Sequence, residues 1–351
     1  MKTSYKPKVL DLFCGAGGLS LGFKSAGFEI VMAVDNDEDS IKTYNKNIGA
    51  EGFRADIHDI TKKFLEKHGI AGVDGVIGGP PCQGFSIQRR GSDDDARNEL
   101  VLQFLRVILE TRPKFFLMEN VGGLLAKRGE EILRRLRNLT ADAGYTLTVK
   151  KLNAAHYGVP QNRIRAFLVG MYNTTHGSLQ LFPDPVAEYL RHPRTVRDAI
   201  YSLAEARFDE LPNHRADKLS PINLERIRAI GAGQGRDALP RHLQLRCHTE
   251  NVGHRHLDTY GRMSWDDPAP TITARFDSFS RGRFGHPLLD RTITLREGAR
   301  LQTFPDEFEF VGNKVSVARQ IGNAVPPMLA SILARHLLAV FDEVGEKNVA
   351  D

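Results

Sequence analysis

The chain has 351 residues, 41% of them hydrophobic and 26% charged, enough for one large or two medium globular domains with real cores. Its three cysteines, Cys14, Cys82 and Cys247, exclude a disulfide framework, fit no zinc spacing, and predict a reducing, cytoplasmic setting with no bound metal. No charged-then-apolar leader opens the chain and no apolar run reads as long enough to span a bilayer, so a soluble protein is expected.

The net charge is +5, and residues 191–300 carry all of it, with 19 Lys and Arg against 14 Asp and Glu. All but one of those 19 are arginine. Arginine's planar fork suits phosphate oxygens and guanine edges, which makes the stretch a candidate nucleic-acid surface. A solvated surface would show a similar balance, so charge alone does not decide.

Val9–Phe13 is a short apolar run with buried-strand character, followed by Cys14-Gly15-Ala16-Gly17-Gly18 and a helix over Leu19–Ala26 with Gly27 behind it. Strand, glycine turn and helix form the nucleotide-binding unit of doubly wound α/β folds, although this turn is shorter than the dinucleotide fingerprint. A second strand, Ile30–Val34, ends in Asp35-Asn36-Asp37. Asp35 is the candidate for ribose hydroxyls, and Asp37 is the better N-cap for a helix near Glu38–Asn45. Asp56-Ile57 ends a third short element, where the carboxylate could accept from an adenine amine or simply serve a turn.

A fourth strand, Val73–Ile77, runs into Gly78-Gly79-Pro80-Pro81-Cys82-Gln83-Gly84-Phe85-Ser86. The prolines fix this backbone, and a thiol in so stiff a loop at a strand end is placed to be a nucleophile; a lone cysteine in a tight turn can equally be structural. Gln88–Arg97 is a polar loop, and Glu99–Leu109 is apolar at helical spacing. The fifth strand, Lys114–Met118, ends in Glu119-Asn120-Val121, which puts a glutamate at a site position. Gly129–Ala143 is an amphipathic helix with a basic face. Tyr145–Leu152 and Arg165–Gly170 read as closing strands. Just before the second of these, Arg163 and Arg165 alternate on extended backbone, which points both to one face, toward an anion, a carbonyl-rich ligand or solvent. Pro183 and Pro185 mark a linker, and residues 186–290 form a smaller loop-rich region of short strands, Thr271-Ile272-Thr273 among them. Dense patterning returns at Arg291–Pro305 and at Gln320–Pro327, before a last helix to about Phe341.

Taken in order, these stretches resemble the cytosine-C5 DNA methyltransferase family. Asp11–Phe23 resembles its first motif, Gly78–Ser86 its catalytic motif, Glu119–Val121 its Glu-Asn-Val motif and Gln161–Arg165 its paired-arginine motif, with Arg296–Pro305 and Gln320–Pro327 similar to the two near the C-terminus. The third motif departs from the family pattern at Ala55, where glycine is usual.

The resemblance implies a doubly wound α/β domain that binds S-adenosylmethionine and a smaller, loop-rich β domain that recognises DNA. The expected division is residues 1–182 (catalytic), 183–290 (target recognition) and 291–345 (C-terminal motifs packing back onto the catalytic domain). It implies catalysis by Cys82, Glu119, Arg163 and Arg165. Cys82 would attack carbon 6 of an extruded cytosine, with Glu119 at N3 and the exocyclic amine, Arg165 at O2, and Arg163 supporting the carboxylate or the nucleophile. An apolar wall is expected to keep Glu119 protonated. The cofactor would lie among Phe13, Gly15, Gly17, Gly18, Asp35, Asn36, Asp56, Ile57, Pro80, Leu100, Asn323 and Val325, with Cys14 lining. DNA contacts would come from Ser86, Gln88, Arg89, Thr271 and Arg275. The implied partner is double-stranded DNA, with a paired restriction endonuclease that makes no stable contact; a compact microbial monomer is expected. The rivals are a cytosine-C5 transferase for transfer RNA, whose Cys-Phe-Thr segment is missing, and a non-catalytic DNA-binding module, against which the intact Cys82, Glu119 and Arg165 argue.

Overall fold

The strands β1 (Lys8–Leu12), β2 (Glu29–Asp35), β3 (Gly52–Arg54), β4 (Gly75–Gly78), β5 (Phe115–Val121), β6 (Tyr145–Asn153) and β7 (Ile164–Tyr172) form one sheet in the order β3-β2-β1-β4-β5-β7-β6. The computed structural model describes residues 5–81, 99–173, 179–205, 210–249 and 258–350. Cys82, Ser86, Gln88 and Arg89 lie outside the described residues. The five strands from β3 to β5 run parallel, and β7 pairs antiparallel with both β5 and β6. β1, β4 and β5 are buried almost throughout, as parallel strands covered on both faces must be. The helices of this unit include α1 (Gly18–Ala26), α2 (Glu38–Asn47), α3 (Lys62–Lys67), α4 (Glu99–Thr111) and α5 (Glu130–Asp142). The winding direction reverses between β1 and β4, so a crevice opens at their carboxyl ends, where doubly wound sheets bind ligands.

Two compact units divide the chain. One comprises Met1–Asn153, Ile164–Pro185 and Val325–Asp351, and the other Ala154–Arg163 and Val186–Ala324. The break at Pro185 falls at the linker read from Pro183 and Pro185. The expected C-terminal block 291–345 is not one piece, because everything before Val325 belongs to the second unit. Packing explains this: a Cβ on Gly298 would strike the Phe276 ring, and one on Gly322 the Thr273 carbonyl, so both helices there press on second-unit backbone or rings.

The second unit holds α6 (Ala187–Arg191), α7 (Val196–Ile200), α8 (Pro221–Arg228), α9 (Arg246–Thr249), α10 (Leu295–Leu301) and α11 (Lys314–Asn323). The short strands expected there are not formed among the described residues, which show only isolated bridges such as Arg262 with Gly285. Buried arginines satisfy the carbonyls that a ladder would otherwise pair. Arg262 donates to the carbonyls of Ile227, Ile230, His286 and Leu289 at 2.7–3.1 Å and pairs with Asp290. Arg296, fully buried, donates to those of Pro212, Pro305 and Phe308. Arg291 grips the buried Glu297 carboxylate through both oxygens at 2.7 Å, and Glu297 closes a capping box with Thr294 at the start of α10.

One helical stretch among the described residues, 314–343, contains an 18-residue window with the length and mean hydropathy (1.6) of a membrane span, against the expectation that no run does. Half of that window is buried, which accounts for its composition. Its second part, α12 (Pro327–Ala350), turns Leu329, Leu333 and Leu337 inward at helical spacing and meets α1 so closely that a Cβ on Gly22 would come within 2.4 Å of the Ala330 Cβ and 2.6 Å of the Ser331 nitrogen. Replacing Gly22 by Val should therefore cost about 1–3 kcal/mol through overpacking. It should lower the urea midpoint without changing the slope; an unchanged midpoint would contradict this packing.

The turn between β1 and α1 rests on a buried acid. Gly17 at the N-cap has no side chain to cap the helix. Asp11 reaches over from β1 instead, and its Oδ2 accepts from the Ser20 hydroxyl at 2.6 Å, while Ser20 accepts from Tyr44 at 2.9 Å. Burial above all, opposed by the Ser20 bond and aided by the Asp35 charge, pushes the Asp11 carboxyl up to about 7. An unfolded aspartate titrates near ~4. The folded chain thus binds this proton more tightly, and its stability falls as pH rises between those values, then levels off. Asp11→Asn should flatten that decline, which is at most about 1.4 kcal/mol per pH unit, in urea midpoints measured from pH 4 to 8; an unaltered slope would contradict the assignment.

Candidate active site

Five loops leave the carboxyl edge of the parallel strands, and most first-unit residues singled out in the sequence lie on them. After β1 the backbone turns abruptly. Phe13, a bulky residue, takes φ 58, and Gly15 and Gly17 take φ 53 and 93. A Cβ on Gly17 would collide with Ile48 and Tyr44, whereas nothing lies within 4 Å of the Cβ direction at Gly15. The turn is packed on one side and open on the other. The Phe13 conformation, rare for a large side chain, is not readable from its identity.

Asp35, at the end of β2, ties this turn to the next. Its Oδ2 accepts from the Gly15 N–H and its Oδ1 from the Asp37 N–H, both at 2.9 Å. Burial pushes its carboxyl above the ordinary range, and the bonds from Asp37 and Gly15 oppose this. Asp37 caps α2 through the Ser40 N–H, and Asn36 between them is exposed. Asp56 is more exposed than a dedicated ligand-binding carboxylate need be, at 55%, and its Oδ1 accepts from both the backbone and the ring of His58. It is thus both the turn residue and, through Oδ2, a candidate acceptor. Phe13, Ile57 and Leu100 share one hydrophobic cluster with Phe104 and Met118. Gly18 opens α1 and is buried. Burial, with Asp11 and Asp35 adding to it, raises the Cys14 thiol well above its usual range, which suits a lining residue and no nucleophile.

The catalytic side of the crevice is set by strand register. Gly78 of β4 lies opposite Met118 of β5, so Gly79 and Glu119 follow side by side. On the other flank Glu119 faces Phe167 and Val121 faces Arg165 across the antiparallel pair, which leaves Arg165 two positions along on the same face as Glu119. Arg165 Nε stands 3.1 Å from Glu119 Oε1. The apolar wall expected around Glu119 is therefore replaced on that oxygen by a guanidinium. Oε2 looks toward Gly79, where an added Cβ would sit 3.5 Å away. Asn120, which the sequence did not single out, is 2% exposed and donates from Nδ2 to the Pro80 carbonyl at 3.0 Å. It pins the loop two residues before Cys82, and its place inside Glu-Asn-Val was the available clue.

In the second unit, Arg163 is 2% exposed and donates from Nη1 to the carbonyls of Ile272 and Gly322 at 3.1 and 3.0 Å. The structure shows it holding second-unit backbone, a task its place in the sequence did not announce. Thr271–Thr273 forms no strand; the Thr271 hydroxyl donates to the Asn162 carbonyl at 2.7 Å. Asn323 ends α11 and is exposed, while Val325 is buried and belongs to the first unit, so the division of the chain runs between these two expected cofactor residues. Arg275 is half exposed and pairs with Asp277 at 3.2 Å. The arginine excess proves partly architectural: Arg226, Arg236, Arg262, Arg291 and Arg296 are buried, whereas Arg191, Arg215, Arg241 and Arg281 remain exposed.

The open turn at Gly15, the Asp35 carboxylate beside it and the shared apolar cluster fit an adenosyl group with its ribose at the end of β2. Comparison with known proteins agrees. Residues 7–339 match the model of the C-5 cytosine-specific DNA methylase family. The chain is 33% identical to the type II methylase M.HgiDII of Herpetosiphon aurantiacus, across 97% of each chain. It is 36% identical to the type II methyltransferase M1.HphI of Haemophilus parahaemolyticus, across 94% of this chain and 86% of that one. A prophage-encoded Escherichia coli chain, described as a DNA modification methyltransferase, superposes with a TM-score of 0.74 at 28% identity, covering 96% of this chain and all of that one. A match of this extent, on a doubly wound sheet with an acid and an arginine paired at its carboxyl edge, establishes that the chain belongs to the C-5 cytosine-specific DNA methylase family.

Proposed function

We propose that this protein methylates carbon 5 of a cytosine extruded from a specific short duplex sequence, through a covalent adduct between Cys82 and carbon 6. The observation that carries the reading is the pairing of Glu119 with Arg165 beside a Pro80 carbonyl tethered by Asn120. Together they present an acid, a cation and a tethered backbone at one strand edge, two residues before Cys82 in sequence.

Carbon 5 of cytosine is a weak nucleophile, and stacking hides it, so the base must leave the helix at a cost of a few kcal/mol. When bound, S-adenosylmethionine supplies an electrophilic sulfonium methyl group; Gly15, Asp35, Phe13 and Leu100 would hold it. The Cys82 thiolate adds to carbon 6, and the electron pair of the 5,6 double bond moves toward carbon 5, which takes the methyl group. Glu119 delivers a proton to N3 as charge builds there. With Arg165 on Oε1, Oε2 is the oxygen placed to carry that proton. Arg165 is then left to steady both the carboxyl group and the cytosine O2. Water takes the proton from carbon 5, the released pair re-forms the 5,6 double bond and expels Cys82 as thiolate, and N3 returns its proton to Glu119. Exposed arginines of the second unit would contact phosphates. The enzyme would act as a cytoplasmic monomer on double-stranded DNA, alongside an endonuclease of matching specificity.

Purified protein given tritiated S-adenosylmethionine should label duplex DNA, and Cys82→Ala should reduce labelling by at least about 10³-fold while retaining DNA binding. Label on transfer RNA alone, or equal labelling by the variant, would overturn the reading.

A further inference from the structure

Gln161, in the ten residues between β6 and β7 that belong to the second unit, is completely buried, and both ends of its amide are engaged. Nε2 donates to the Leu301 carbonyl at 3.2 Å and to Gln302 Oε1 at 2.8 Å, and Oε1 accepts from the Ile272 N–H at 2.8 Å. Gln302, equally buried, passes the chain on by donating to the Ile321 and Ala324 carbonyls. Arg163 takes the Ile272 carbonyl. Both backbone groups of Ile272 are thus claimed by side chains two residues apart. Around it, the Asn162 N–H donates to Ala269, the Ala269 N–H to Pro160, and the Thr271 hydroxyl to Asn162. Among the described residues, the only regular pairing of this segment is one bridge, Gln161 with Ala269. Its shape therefore depends on these side-chain bonds, and Gln161 links it to the C-terminal ends of α10 and α11.

We propose that Gln161 is a positioning residue for methyl transfer, setting the backbone of Thr271 and Ile272 against the extruded nucleotide. This rests on the function proposed for the chain and on the DNA contact that the family resemblance implies for Thr271. The Thr271 hydroxyl proton is already committed to Asn162, so Thr271 has only its lone pairs, methyl group or backbone N–H to offer, and its placement matters more than its hydroxyl donor. The site requires a group that donates one way and accepts the other. A carboxamide does this, a protonated carboxyl group does it with a single donor, and an ionised carboxylate or a thioether does not. Arg163 is the charged neighbour on the same segment and would partly steady a carboxylate at position 161.

The test compares wild type, Gln161→Glu and Gln161→Met in single-turnover transfer from tritiated S-adenosylmethionine to unmethylated plasmid DNA, between pH 6 and 8.5. Affinity for S-adenosylhomocysteine is measured by calorimetry on the same samples. The expected result is that Gln161→Glu is impaired at high pH and its rate relative to wild type rises at least about tenfold as pH falls and the carboxyl group regains its proton. Gln161→Met should remain slow throughout, and all three should bind S-adenosylhomocysteine within about twofold of each other. A pH-independent ratio, or a parallel loss of S-adenosylhomocysteine binding, would reduce Gln161 to a general structural residue and overturn the proposal. Wild type that labels no DNA would overturn the functional reading and this inference with it.

Discussion

Gly78 of β4 lies opposite Met118 of β5, and that parallel register governs what the first unit can do. One step further along each strand it sets Gly79, at the start of the Pro80-Pro81 segment, beside a glutamate. The antiparallel partner β7 brings Arg165 to the same edge from the opposite chain direction. A slip of one residue in either pairing would turn Glu119 to the other face of the sheet and separate it from its arginine. The burial of β4 and β5 on both faces is what makes such a slip costly. The adenosyl side follows the same logic, with Phe13, Asp35 and Asp56 all at or just past the ends of β1, β2 and β3.

The second unit meets a different constraint. It has little ladder pairing among the described residues, yet its backbone is buried in many places, and buried carbonyls need donors. Arg163 serves the carbonyls of Ile272 and Gly322, Arg262 and Arg296 serve several each, and Gln161 and Gln302 relay others. An irregular scaffold built this way can vary its surface loops without losing its interior, which would suit the DNA-reading role proposed for this unit. The same arrangement reduces the number of arginines left to face phosphate.

Most of the sheet was legible in the sequence because a parallel strand buried on both faces needs an unbroken apolar run, and glycine, aspartate or glutamate marks where that run meets the ligand edge. The cap at Asp37, the αL glycine after α1 and the linker at Pro183 and Pro185 were equally local matters. What escaped depended on distant partners. Nothing near Arg163 in sequence says that its guanidinium will meet Ile272 and Gly322. Arginine counts likewise say nothing of burial, and Thr271-Ile272-Thr273 carries strand-forming residues but finds no strand to pair with among the described residues. The split of the C-terminal motifs at Val325 depends on which core each helix packs against, a property of the folded chain alone.

The chemistry assembled at the carboxyl edge of this sheet is proposed to act on carbon 5 of cytosine in DNA. The most direct measurement is to express the chain in a bacterial host without DNA methylation of its own and map modified bases across the genome. The expected result is 5-methylcytosine at one recurrent short motif and nowhere else. A genome without 5-methylcytosine, or methyl groups found on exocyclic amines instead, would contradict it.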